Sequence, residues 1–448
     1  MSFAIFAHSH YLYELCLQLD YLTCTHLCRI NKQIFQTARD NPLISDVFIR
    51  KKREVANLTN EFLKNIKTNN HPLILAINQK NFIIVDELIN RGYDPHIESN
   101  IIICTACEYG HSQLVYKLLT NHLVLPYVRN NYPIIAASQH GHLAIVELLL
   151  RTKYVDPCAN NNNALYLACQ NGHLPVVNRL LEDARVNPTV DNYNIAIHAA
   201  CKNGHLDIME RLLSDGRINI DIIVNDIIHV SIKYGHIDIL NKFIEHPQVD
   251  PSIDNNLAIR LASEHGHASV IKRLLQDPRV DPSINNNICI RVASENGHTS
   301  ALKELLLDGR VYPGDNHNSA IRFACKKGHV EVVKALLQEY WVNPAACNNN
   351  CIRWASQKGH LEIVELLLAD PRVDPSDRNN GALRLASKRG RLAVVDRLLQ
   401  DGRVDPSDMN NGAIRYAKVN GHYTVVERLR QDIHVRQTLK MKVIGSSG

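Results

Sequence analysis

Apolar residues in this chain come in paired short stripes. Leu392, Val395, Leu398 and Leu399 are spaced three and four apart, which is the spacing of one buried helix face. Just before them, Ala382, Leu383, Leu385 and Ala386 mark a shorter apolar helix, and Gly390 separates the two. Glycine tolerates the left-handed backbone that ends a helix, so the pattern predicts a helix, a tight turn and a second helix. Asn379 and Asn380 are placed to cap the first helix. Asp401-Gly402-Arg403-Val404-Asp405-Pro406 then reads as an extended, turn-bearing connector.

The same pattern returns along most of the chain. Gly235, Gly266, Gly297, Gly328, Gly359, Gly390 and Gly421 lie 31 residues apart, and the series runs back through Gly204, Gly172 and Gly141 to Gly110 with a single step of 32. Ten of the 17 prolines share one slot, from Pro95 to Pro406, where a fixed φ suits an exposed turn. Only the copy around Ile218-Asn219-Ile220 lacks it. Two short helices cannot bury their stripe alone, so each copy must lean on its neighbours. The predicted fold class is all-α, a helical-repeat solenoid. Such a stack offers a long surface and no deep, singular cleft.

The repeat resembles the ankyrin repeat. That family's second helix is matched by Gly359-His360-Leu361-Glu362-Ile363-Val364-Glu365-Leu366-Leu367, and its first-helix opening by His71-Pro72-Leu73-Ile74-Leu75-Ala76 and Tyr132-Pro133-Ile134-Ile135-Ala136-Ala137. Elsewhere the opening has become x-Ala-Ile-Arg-x-Ala, and the unit is two residues shorter than the usual 33 or so. The resemblance covers residues 70–430 and implies about twelve right-handed, stacked repeats. Their connector tips and first helices would line a concave face that holds a protein target. The shortened, Asn-rich, Val-Asp-Pro style is similar to the ankyrin arrays of large DNA viruses. In the last copy Arg430 stands where Leu399 stood, a charge at the end of the stack, and residues 431–448 form a basic tail expected to fray.

The first seventy residues carry no repeat. Apolar residues recur at helical spacing in Leu12–Leu22 and Leu27–Phe35, and Asp40-Asn41-Pro42 breaks the second run, which predicts two or three short packed helices. The segment 1–55 resembles an F-box, the module that docks the Skp1 adaptor of cullin ubiquitin ligases. Leu19-Asp20, Ile30-Asn31-Lys32 and Asp40-Asn41-Pro42-Leu43 fall where that family has Leu-Asp, Val-Ser-Arg and Asp-x-Pro-Leu. Tyr13 replaces its early Pro, and no Trp follows Leu43. The resemblance places docking on Leu12, Leu15, Leu19, Leu27, Ile30, Ile34 and Phe35. A helical cap covering the first repeat is the alternative. Residues 56–69 would link either module to the stack.

Composition removes several function classes. With 50 Lys+Arg against 45 Asp+Glu, the formal +5 is too small to point to nucleic acid without a clustered basic face. No apolar run is long enough for a membrane span, and Met1–Ala7 lacks a basic leader, so a soluble, cytoplasmic, monomeric protein is expected (host cytoplasm if viral). Cys107, Cys169, Cys201 and Cys325 share a slot that other copies fill with Ser, a small-residue position and not a disulfide framework. The Gly-His histidines arrive one per layer, too far apart to share a metal, and no nucleophile–base set or phosphate loop occurs. No catalytic, cofactor or metal site is therefore expected.

Two arginine columns stand out. Arg260, Arg291, Arg322, Arg353, Arg384 and Arg415 share one slot; Arg185, Arg217, Arg279, Arg310, Arg372 and Arg403 share another. Each column reads either as a cationic stripe for an acidic partner or as architecture, the first pairing with Asp250, Asp281, Asp374 and Asp405 ten residues upstream. Architecture is favoured, because a binding site usually varies between layers. Contacts are better sought where copies disagree, at Tyr166, Tyr193, Tyr312 and Trp341, since aromatics and Arg anchor interfaces. The function expected is protein recognition by the array, as substrate adaptor of an Skp1–cullin ligase. A plain scaffold or decoy, and nucleic-acid binding through the arginine columns, remain the alternatives.

Overall fold

In a computed structural model, residues 42–66, 71–120, 124–189 and 194–432 are described. They form 25 helices, and no strand occurs among them. The F-box-like docking residues from Leu12 to Phe35 lie outside the described residues, as do Tyr193 and the tail beyond Asp432. The chain divides into two units, residues 1–219 and 220–448.

The first unit opens with a 24-residue helix, Pro42–Asn65. Pro42 suits a first helical position, where its missing N–H would have no intrahelical partner. The helix continues through the segment expected to be a linker as far as Asn65, and packs on Phe82–Asn90 with Val47 and Thr59 buried. Arg91 from that neighbour reaches Asn60 and the carbonyl of Ala56. Five helix pairs follow, from Pro72–Asn78 with Phe82–Asn90 to Ile195–Lys202 with Leu206–Ser214. The second unit holds seven pairs, from Ile220–Tyr234 with Ile237–Phe243 to Asp408–Val419 with Tyr423–Arg430. Within each unit first helices stack on first helices and second on second.

The core is the paired stripe of each repeat. Ala382, Leu383 and Ala386 face Val394, Val395 and Leu398, all essentially inaccessible. Leu392, expected in that stripe, is 38% exposed because the second helix begins on it. Truncating a buried leucine such as Leu398 costs about 2–5 kcal/mol.

The entry to the first helix departs from expectation. Asn379 and Asn380 do not cap it; with Arg378 they form three consecutive left-handed residues, at φ 55°, 55° and 54°. The same turn occurs at Asn160–Asn162, Asp254–Asn256, Asn285–Asn287, Asn316–Asn318, Cys347–Asn349 and Met409–Asn411. L-residues resist this region by roughly 1–2 kcal/mol each, Asn least among non-glycines. The third residue of each turn is Asn in every one of these copies, and in all but the last, Asn411, its amide reaches into the next repeat. Asn380 accepts from the backbone N–H of Asp405 at 2.9 Å and donates to the Asp408 carboxylate at 2.9 Å. Asn287 does the same with Tyr312 and Asp315, and Asn349 with Asp374 and Asp377. At Asn162 the amide is turned, donating to the Asn187 carbonyl at 2.6 Å. The copy without the connector proline has no such turn: Ile220–Tyr234 runs as one continuous helix.

Asn411 tests this reading. It is 2% exposed, yet neither amide atom has a hydrogen-bond partner among the described residues. Asn380→Ala should therefore destabilise the array by about 1–3 kcal/mol, removing the partner of the part-buried Asp405 N–H and of one Asp408 carboxylate oxygen. Asn411→Ala meets the same left-handed backbone but breaks no hydrogen bond, so it should cost less than Asn380→Ala. Urea midpoints of the two variants check this, and equal losses would count against it.

Candidate partner-binding surface

Most of the regular polar columns are spent on holding repeats together. In the Gly-His turn the imidazole does not cap its own helix; His329 Nε2 lies 2.9 Å from the carbonyl of Glu295, in the preceding repeat. His142, His173, His205, His267, His298, His360 and His422 make the equivalent contact. The ring lies against the glycine one repeat earlier. A Cβ on Gly297, already at φ 82°, would sit 2.5 Å from His329 Nδ1. Among the described residues no three His, Cys, Asp or Glu side chains could hold a metal ion. Cys107, Cys169, Cys201 and Cys325 are all buried, as a small-residue slot requires. Burial pushes the Cys104 thiol up to about 11.

The first arginine column holds the left-handed turns. Arg384 donates to the carbonyls of Asn379 at 2.9 Å and Arg378 at 2.8 Å. Arg353 reaches Asn348 and Cys347, Arg415 reaches Met409, Arg322 reaches His317 and Arg260 reaches Asp254. The acids suggested as its partners are engaged elsewhere. Asp250, Asp281, Asp374 and Asp405 each accept from the backbone and hydroxyl of the serine two residues on. Short carboxylate side chains favour this local bond over a longer-range pair. These guanidinium groups thus keep their charge on neutral carbonyl partners. Burial, with Arg378 nearby, lowers the Arg353 pKa.

The second column forms clasps. Arg403 binds Asp401 with two nitrogens, at 2.8 and 2.7 Å, and donates to the Val373 carbonyl of the previous connector at 2.9 Å. Arg185, Arg279, Arg310 and Arg372 repeat the pattern with Asp183, Asp277, Asp308 and Asp370, and Arg217 with Asp215. Two positions of the second unit break the series: His246-Pro247-Gln248 stands at one, and Glu339-Tyr340-Trp341 replaces Asp-x-Arg at the other, between the Arg310 and Arg372 clasps. Tyr340 and Trp341 are 85% and 60% exposed and meet edge to face at 5.1 Å. Tyr312 of the preceding connector adds a third exposed ring, 5.9 Å from Trp341. Gly314 is what admits this group, since a Cβ there would lie 2.5 Å from the Trp341 carbonyl and 3.2 Å from the Tyr312 ring. In the first unit Tyr154 fills a clasp position in the same way and pairs with Tyr127 at 6.0 Å. Tyr166 is half-buried on Ala159–Gln170.

Sequence reasoning did not find Tyr340. Its signal was a large ring at a position that the clasps fill with Gly, Pro or Ala.

A family model for ankyrin repeats, each match spanning three copies, fits residues 73–161, 103–192, 134–226, 179–255, 197–288, 290–379 and 352–438. The chain belongs to the ankyrin-repeat family. No curated protein matches it. Ankyrin repeats mediate protein binding, and an array of them is a protein-interaction scaffold. No described helix is long and apolar enough to cross a membrane.

The clasps give these ankyrin repeats a pH dependence. The Arg403 hydrogen bonds hold the Asp401 carboxyl below the usual carboxylate range, and the same holds for Asp183, Asp215, Asp277, Asp308 and Asp370. A depressed folded-state pKa stabilises above the unfolded value of about 3.9, and that contribution disappears as pH falls through the folded value. Thermal midpoints should thus fall below about pH 4. Asp401→Asn should lower the midpoint at pH 7 and flatten its decline between pH 4 and 2.

Proposed function

We propose that this ankyrin array is the target-holding arm of a substrate adaptor, with residues 1–55 docking an Skp1-type subunit and residues 70–430 presenting a protein for ubiquitylation. One observation carries the target-binding half: Tyr340 and Trp341 stand exposed where most copies hold a clasp, with the exposed ring of Tyr312 beside them. Large aromatic side chains left in water on a rigid support are the usual anchors of protein interfaces. The clasp they replace is a stabilising device in the neighbouring copies, so its loss here has a reason other than stability. Tyr166 and Tyr193 are secondary contact candidates.

The docking half rests on the resemblance of Leu19-Asp20, Ile30-Asn31-Lys32 and Asp40-Asn41-Pro42-Leu43 to an F-box. In this reading Leu12, Leu15, Leu19, Leu27, Ile30, Ile34 and Phe35 form the apolar docking face of a monomer working in the cytoplasm, the host's cytoplasm if the similarity to viral arrays reflects origin. Nucleic-acid binding is less well supported, because one arginine column is neutralised by aspartates and the other is bonded to backbone.

Affinity purification with the full-length protein identifies the target. Trp341→Ala should then weaken target binding by about 2 kcal/mol or more. Trp341→Arg, which restores the clasp residue, should keep the fold and lose the target. Leu19→Asp with Ile30→Asp should abolish Skp1 capture and spare the target. Skp1 capture that is absent from the intact protein would reduce the molecule to a plain scaffold.

A further inference from the structure

The C-terminal ends of four first helices in the second unit differ from the rest. Arg322–Lys327 (RFACKK), Arg353–Lys358 (RWASQK), Arg384–Arg389 (RLASKR) and Arg415–Asn420 (RYAKVN) carry ten Lys and Arg and no Asp or Glu. The two copies before them have Glu264 and Glu295 at the position where Lys326 and Lys388 stand. Positive charge at a helix C-terminus is favourable, but that would apply equally to the copies that use Glu. Lys327, Lys358, Lys388, Arg389 and Lys418 are exposed. Nearby carboxylates offer little compensation: Glu331 and Glu362 are both engaged by Lys334, and Glu295 meets Lys327 only at 3.9 Å, at the edge of the patch.

Aromatic rings lie within this patch in the same register. Arg322 and Lys326 sit over Trp354 at 5.3 and 5.0 Å, and Arg384 and Lys388 over Tyr416 at 6.0 Å each. The rings help to fix these cations, and carbonyls of the left-handed turns also bond the guanidinium groups of Arg322 and Arg384. Preorganised charge binds at a smaller entropic cost.

We infer that this face binds an acidic protein segment in extended conformation, with a carboxylate at about every third residue. Packed helices lie about 8–10 Å apart, and an extended chain rises about 3.3 Å per residue. Three residues therefore span one repeat, and about ten residues span the four layers. A nucleic acid fits less well. The rings are faced by the protein's own cations and so are poor stacking platforms for bases. The inference rests on the array being a protein-interaction scaffold and not on an Skp1 link.

The test uses the full-length protein and a fluorescent 12-residue peptide with Glu at every third position among Gly and Ser, read by anisotropy. The expected result is binding that weakens with salt, and a weaker signal for a peptide with the same four Glu at one end. Lys358→Glu with Lys388→Glu should weaken binding about tenfold, and Lys303→Glu, on a second helix, should not. Absence of binding at low salt, equal loss with Lys303→Glu, or tighter binding of a 12-nucleotide single-stranded DNA would each overturn the proposal. The probe needs neither the cellular target nor the N-terminal module, so its failure leaves the adaptor reading standing.

Discussion

A buried asparagine amide crossing from one repeat to the next is the contact on which the array depends. The left-handed turn before each first helix is unfavourable for any L-residue, and three in succession form a local structure that no isolated repeat would keep. In copies such as Asn349 the third side chain enters the next repeat and satisfies a connector N–H and a carboxylate there, while the last turn, Met409–Asn411, keeps the same geometry without that contact. Folding of one repeat thereby prepares the acceptor for another, so the coupling between neighbours is polar and directional as well as hydrophobic.

The other regular columns follow from the same constraint. A turn of three left-handed residues exposes carbonyls that no helix ladder can satisfy, and the first-column arginines, Arg384 for example, bond them. Connectors without a sheet to join have the same difficulty, and Arg403 meets it by bonding a carbonyl of the connector before it. The imidazole of His329 serves a helix-end carbonyl of the previous copy, and the glycine opposite leaves it room. Side chains that look like a cationic stripe or a set of metal ligands are, in these positions, partners for backbone groups.

The period, the helix pairs and the connector were legible because hydrophobic spacing, Gly390-type turns and Pro406-type connectors each have a local cause. Partners across repeats were harder to see. Asn379 and Asn380 fit a helix cap by residue type, and a run of left-handed residues is rare enough that the cap was the natural expectation. A cap would accept Ser, Thr or Asp as readily, however, so the constancy of the third Asn from Asn162 to Asn411 was the available signal. The assignment of Asp250, Asp281, Asp374 and Asp405 to the first arginine column failed for a related reason. Sequence distance favoured the pair, while the serine two residues on had first claim through a local turn.

What remains for recognition is where a column is broken. Replacing the Asp–Arg clasp by Glu339-Tyr340-Trp341 removes an inter-connector bond and leaves two large rings exposed. Exchanging the Glu295 position for Lys326 and Lys388 removes negative charge from a stretch of surface that is otherwise built identically. Neither change strengthens the stack, and the layers on either side of Glu339-Tyr340-Trp341 keep the clasp. The two lie at opposite ends of the same first helices, connectors at one end and Gly-His turns at the other, so one partner could meet an apolar anchor and a charged track on a single rigid support. A repeat fold makes such local exceptions affordable, because the layers on either side retain the contacts that hold the backbone in place.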